Sequence, residues 1–271
     1  PSAESTMRVP VGDRIVNLAT GGVPLGDDSR PLVLLVHGSG MDRSVWSQQT
    51  RFLAHHGYRA AAVDLPGHGE TDGPALTTID KMAAWMAELV EHLGSPAHLI
   101  GHSMGSLIVL EAASSHPESV SSAMLIGAGA VMPVHPDLQE AADADDHLAG
   151  QLIAGWGHSP DQHLGGNPTP GLWMMGGTRA VLDRGPSGVL GLSLVACAAY
   201  EMAQDAAANV ACPVTLILGG QDRMTPRASA QPLIDALTDP TVVDLPSTGH
   251  RVRIEEPDLV RRARVEQLTR C

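Results

Sequence analysis

The chain has 271 residues, 43% of them apolar, which is enough for a sizeable core in one domain or one domain with an insertion. Seventeen Lys and Arg against 30 Asp and Glu leave a net charge of −13, which argues against nucleic acid and anionic membrane as partners, since both require a basic face. Three scattered cysteines, Cys197, Cys212 and Cys271, offer neither a disulfide framework nor metal-ligand spacing, and read as free thiols, the last on a frayed terminus.

In chain order, residues 7–19 read as two short strands around a Gly12-Asp13 turn, followed by a Gly-, Pro- and Asp-rich loop over 20–31. Leu32–Val36 is a continuous apolar run, as expected of a strand buried on both faces of a parallel sheet. Helical spacing over 44–56 stops at Gly57, a strand follows over 58–63, and an amphipathic helix over 78–93 closes at Gly94. Residues 97–102 form a strand, 104–115 a helix and 122–126 another strand. The rhythm then breaks: residues 131–187 hold many prolines and glycines, acidic helix-like segments such as 137–150, and no clear strand. A long helical pattern over 188–209 leads back to a strand at 214–218, a helix at 226–237, a strand at 242–245 and a charged helix at 255–268. Alternating strands and helices at this spacing predict an α/β fold with a doubly wound, mostly parallel sheet. The longest apolar run, 189–200, is too short to span a membrane, and residues 1–4 carry no signal-peptide pattern, so a cytoplasmic location is expected.

The segment Gly101-His102-Ser103-Met104-Gly105 joins a predicted strand to a predicted helix. Gly-x-Ser-x-Gly is the pattern of a sharp strand-to-helix turn that pushes a serine out at the top of a sheet, with small flanks so that strand and helix can pass closely. Asp222 and His250 also follow strands, giving the order Ser, Asp, His along the chain, and the carboxyl edge of a parallel sheet is where ligands bind.

These features resemble the α/β-hydrolase superfamily, in its capped serine esterase and lipase-like branch, over nearly the whole chain. The matching residues are His37-Gly38-Ser39-Gly40, Asp64-x-Pro66-Gly67-His68-Gly69, the elbow at 101–105, Gly219-x-x-Asp222 and Gly249-His250. The resemblance implies Ser103 as nucleophile, His250 as general base and acid, and Asp222 as the residue orienting His250. It also implies an oxyanion hole from the backbone N–H groups of Met104 and Ser39, with Gly40 as the alternative to Ser39. Asp64 is expected in a turn and Asp244 within a strand, away from the site, while Gly127–Ala130 removes the usual alternative position for the acid. His37 and His68 are expected to build loops, His102 to pack beneath the elbow, and His158 and His163 to face solvent.

The expected organisation is a core over 1–130, a helical cap over 131–205 and the rest of the core over 206–271. Trp156, Trp173, Met174 and Met175 are the cap residues expected to line an apolar substrate pocket. No cofactor is expected, and no metal, since no His pair stands at ligand spacing. The activity implied is hydrolysis of carboxylic esters of small apolar molecules through an acyl-enzyme. The same triad serves lactonases and C–C bond hydrolases, and a ligand-sensing receptor is the alternative outside enzymes. The expected partner is a small-molecule ester or lactone.

Overall fold

The computed structural model describes residues 6–26, 29–94, 96–163 and 173–270, with side chains described up to 263. Cys271 and the first residues of the chain, on which readings were made above, lie outside the described residues, as do Gly171 and Leu172. The strands are β1 (Thr6–Val11), β2 (Arg14–Ala19), β3 (Leu32–Val36), β4 (Arg59–Val63), β5 (Ala97–His102), β6 (Val120–Ile126), β7 (Val214–Gly219) and β8 (Thr241–Leu245). They form one sheet in the order β1-β2-β4-β3-β5-β6-β7-β8. The β1–β2 and β2–β4 pairs are antiparallel and every later pair is parallel.

The continuous apolar strands follow from burial on both faces. Leu32, Leu34 and Val36 of β3 point into one core cluster and Val33 and Leu35 into the other, as the two-residue period of a strand requires. On the first side the sheet carries α2 (Ile79–His92), α3 (Met104–Ser115), α9 (Ala203–Asn209) and α10 (Gln231–Ala236); on the second it carries α1 (Ser47–Ala54) and α12 (Pro257–Arg270). A helix α2 is what its sequence dictates: Thr78 precedes it in extended conformation, Asp80 sits at the positive end of its dipole, and Gly94 takes φ +84° beyond its last turn.

Between β6 and β7 the regular elements among the described residues are all helices: α4 (Pro136–Asp143), α5 (His147–Gly157), α6 (Pro160–His163), α7 (Met174–Asp183) and α8 (Val189–Ala199) precede α9. Leu138, Ala141, Ala142, Ala149, Ile153 and Leu194 form a small core of their own. The continuous helix expected over 188–209 is instead two helices, α8 and α9, separated at Tyr200–Met202. At the break the chain makes a tertiary contact: the Tyr200 hydroxyl donates to Glu111 on α3. The expected boundary at residue 205 falls within α9, whose Ala203, Ala206 and Ala207 pack in the sheet's core. Two further expected helices are also divided, that over 44–56 into a 3-10 turn (Arg43–Trp46) and α1, and that over 226–237 into a 3-10 turn (Arg227–Ala230) and α10, while a short α11 (Val252–Glu255) precedes α12.

The parallel register brings the strand ends side by side. Val36 pairs with Gly101, Gly101 with Leu125, and His102 with Ile126, so the loops after β3, β5, β6, β7 and β8 share one edge.

Candidate active site

The turn after β5 is tight enough to exclude side chains. A Cβ on Gly101 would lie 2.0 Å from the carbonyl oxygen of Gly105, and one on Gly105 would lie 2.4 Å from that of Val36. Ser103 pays for the turn with φ +56°, ψ −121°, a conformation that costs a non-glycine residue about 1–3 kcal/mol. It is held there from both sides: its N–H donates to Ile126 O at 2.9 Å, and its carbonyl accepts Ser106 N–H at 2.8 Å and Ser106 Oγ–H at 2.6 Å.

The loops after β7 and β8 bring Asp222 and His250 together. Nδ1 of His250 lies 2.8 Å from Oδ2 of Asp222, with both side chains buried. A carboxylate only accepts, so the ring proton sits on Nδ1 and the lone pair on Nε2. Oδ1 of Asp222 accepts the N–H groups of Met224 and Thr225, each at 2.8 Å. Oδ2 also accepts the Thr225 hydroxyl at 2.8 Å, and that hydroxyl lies 3.1 Å from His250 Nδ1 and from Gly127 O. Burial alone would push the Asp222 carboxyl up, but the His250 ring and the Thr225 donors outweigh it and hold the group below the usual carboxylate range. Gly127 leaves room for this: a Cβ there would stand 3.0 Å from the His250 ring.

His102 joins the elbow to His250. Its ring lies 4.7 Å from the His250 ring, centroid to centroid. Its Nδ1 faces Nη1 of Arg253 at 3.4 Å, and arginine only donates, so the His102 proton is on Nε2 and is given to the His250 carbonyl at 2.9 Å. Burial, then the Arg253 charge, keep the His102 pKa well below its ordinary value. Arg253 itself is buried against Trp46 and donates to Val45 O. Among the described residues Ser103 Oγ makes no hydrogen bond to His250, an alignment that substrate-free sites often complete only on binding.

His37 and His68 build loops, as expected. His37 accepts Leu65 N–H at 3.1 Å and donates to Gly38 O at 2.9 Å. His68 donates to Pro66 O and accepts from Ser193 on α8. Asp64 accepts the N–H groups of Arg43 and Glu70 and pairs with the Arg43 guanidinium, while Asp244 is exposed and pairs with Arg227.

Ser103 opens into a cavity of about 360 Å3. Its lining includes Ser39, Met132, Val134, Leu138, Trp156, Leu194, Cys197, Arg223 and Met224. Trp156 therefore shares a cavity with Ser103. Trp173 and Met174 do not: both line a separate, smaller cavity beside Met41, Ser47 and Ile254, with Trp173 66% exposed. The reason is that α7 packs against α5, and Trp173 and Met174 at its start face Met41, Ser47 and Ile254 across that cavity. Met175 is half-buried on α7 and does not line the Ser103 cavity. His158 is also corrected. It is buried rather than solvent-facing, with Nε2 3.0 Å from Thr178 Oγ1 and Nδ1 3.3 Å from Glu255. His163 is exposed and reaches the His158 carbonyl.

Ser39 lines the Ser103 cavity, whereas Gly40 is covered by Leu190 and Leu182 of the helical segment. The N–H groups of Ser39, Gly40 and Met104 have no acceptor among the described residues. A larger cleft of about 800 Å3, lined by Asp42, Arg43, Arg51, Glu70 and Arg184, does not reach Ser103. Among the described residues no cluster of His, Cys, Asp and Glu is arranged to hold a metal ion, and no helix is long and apolar enough to cross a membrane.

Sequence reasoning missed Thr225, Arg253 and Glu255. Thr225 carried a usable signal, an Asp followed three residues later by Thr in a loop, the pattern of a side chain bonding its own turn. Arg253 and Glu255 carried none, because a charged residue in a helix-like stretch reads as exposed.

Residues 33–263 match the family model of the alpha/beta hydrolase family. The chain is 30% identical over 250 residues to a pimeloyl-[acyl-carrier protein] methyl ester esterase of Aromatoleum aromaticum, covering 85% of this chain and 95% of that one. It is 29% identical to the enzyme of that name from Chromobacterium violaceum, covering 85% and 92% of the two chains. The enol-lactonase of Burkholderia xenovorans LB400 superposes with a TM-score of 0.86 at 21% identity, over 97% of this chain and all of that one. A thermophilic esterase superposes at 0.80 with 23% identity, over 98% and 97%. The sheet order, the strained serine turn and the match over most of the length agree, and the chain belongs to the alpha/beta hydrolase family.

Proposed function

We propose that this chain hydrolyses carboxylic esters of small molecules through an acyl-enzyme formed on Ser103. The single observation that carries the reading is the 2.8 Å His250–Asp222 bond behind a serine held at positive φ on the floor of a cavity. With Nδ1 committed to Asp222, Nε2 of His250 is the free base. It takes the Ser103 proton as Oγ attacks the ester carbonyl carbon, and returns it to the departing alcohol. Water then repeats the sequence on the acyl-enzyme, releasing the acid. The unpartnered N–H groups of Ser39 and Met104 support a role as oxyanion donors, each worth about 3 kcal/mol of barrier, and Ser39 is favoured over Gly40 because it faces the cavity. The helices between β6 and β7 act as the cap that roofs this cavity.

The relatives named esterases support ester chemistry in this chain. The test is fluorophosphonate labelling combined with an ester panel. Wild type labels at Ser103 and turns over short p-nitrophenyl esters repeatedly, while Ser103→Ala stays folded and does neither. Lactones and vinylogous diketones run alongside sort ester hydrolysis from lactone and C–C cleavage. A single covalent event without release marks a ligand sensor instead.

A further inference from the structure

The Ser103 cavity does not share the acidic balance of the chain as a whole. The chain carries 30 acidic residues against 17 basic ones, and carboxylates line two other clefts: Asp42 and Glu70, beside Arg43, Arg51 and Arg184, in the one of about 800 Å3, and Asp145, Asp146 and Asp183 in a second. Among the described residues no carboxylate lines the cavity above Ser103, and its one permanently charged side chain is Arg223. Arg223 is exposed and has no hydrogen bond or ion pair among the described residues. The remaining walls are mostly apolar, with Met132, Leu138, Trp156 and Leu194 among them.

Arg223 is also fixed in place by the catalytic acid. The Asp222 carboxylate takes the N–H groups of Met224 and Thr225, so the backbone on both sides of Arg223 is pinned. One loop thus turns a carboxylate inward to His250 and presents a guanidinium to the cavity. His135 lies on the same lining. Its Nδ1 accepts Asp137 N–H at 3.2 Å, so the neutral ring carries its proton on Nε2, a second donor there; the exposed Asp137 carboxylate lies 3.8 Å from Nδ1.

An unpaired guanidinium beside apolar walls is suited to a planar anion at the end of a short hydrocarbon chain. We infer that the substrate of this enzyme carries a carboxylate remote from its scissile ester, the hydrocarbon between them packing on the apolar walls and the carboxylate meeting Arg223. This rests on the reading of Ser103 as the nucleophile.

The experiment compares kcat/KM for monomethyl succinate, glutarate and adipate with methyl butanoate, pentanoate and hexanoate. A second set places the carboxylate on the alcohol side, and a phosphate-bearing ester tests whether any anion suffices. Wild type prefers the half-esters over the neutral esters, and added salt erodes the preference. Arg223→Ala lowers the anionic-to-neutral ratio by about tenfold, chiefly through KM, and Arg223→Lys restores part of it. Arg223→Glu inverts it, and Arg8→Ala, an exposed arginine on β1, leaves it untouched. If Ser103 labels and neutral esters turn over, but the ratio is near one or is indifferent to Arg223→Glu, the inference fails while the ester-hydrolase reading stands. If no ester turns over and Ser103 does not label, both fall.

Discussion

Glu255 and His158 face each other in a buried contact, with Oε1 3.3 Å from Nδ1. It is a close electrostatic contact rather than a well-aligned hydrogen bond. The same carboxylate accepts Gly249 N–H at 2.9 Å and Ser159 N–H at 3.3 Å. One side chain therefore ties the residue before His250 to the end of α5. Burial works against ionisation of Glu255, but His158 and the two N–H donors prevail and keep its pKa below the ordinary value.

Glu255→Ala is expected to cost about 2–4 kcal/mol, since it leaves buried donors unpaired. It should also lower kcat more than KM rises, because the His250 loop loses its anchor. Urea unfolding and ester kinetics on the same preparation check both. Unchanged kcat in a folded variant would mean that the loop holds His250 without Glu255.

Thr225→Val keeps the shape of the side chain and removes the hydroxyl shared by Asp222, His250 and Gly127. The expected result is a fall in kcat of about tenfold with little change in KM and a stability loss of about 1 kcal/mol. Thr225→Ser should recover most of the rate. A serine variant as slow as the valine one would assign the effect to packing.

Acid should destabilise the fold from a pH well above the carboxylate range. Burial lowers the pKa of His37 to about 4, and burial together with the nearby His37 lowers that of His68 to about 3. Both folded values lie below the unfolded value of about 6.5, so the unfolded state binds more protons in between. The stability they contribute is complete above pH ~6.5 and is lost as pH falls towards the folded values, at up to about 1.4 kcal/mol per pH unit for each histidine. Urea midpoints at closely spaced pH values measure the slope. His68→Gln should reduce it by one histidine's share, and an unchanged slope would show that His68 does not contribute.

The sequence disclosed the parts of this fold that obey local rules. Leu32–Val36 reads as a buried strand because both its faces are covered, and 101–105 reads as a turn because only glycine fits against Val36 O and Gly105 O. Asp222 and His250 were legible because each ends a strand on one edge. What stayed hidden depends on contacts between distant segments. The interruption at Tyr200–Met202 has no glycine or proline stop, and the bond made there, Tyr200 to Glu111, joins segments far apart in the chain. Trp173 looked like a pocket wall because an apolar ring beside two methionines carries no information about which way α7 faces. His158 reads as solvent-facing, and Arg253 draws no reading, because their partners lie far away along the chain.

The cavity wall and the proposed triad are drawn from the chain in different ways. Ser103, Asp222 and His250 come from three loops far apart in sequence, whereas Met132, His135, Leu138, Trp156, Leu194 and Cys197 all come from the single stretch between β6 and β7. Most of the cavity wall can therefore be exchanged as one cassette, by recombination or by grafting from a relative, while the loops that carry the proposed triad are left as they stand. Ser39, Met224, Thr225 and Arg223 lie outside that stretch, and Arg223, covalently next to Asp222, would remain behind and carry its charge into whatever new chamber was installed above it.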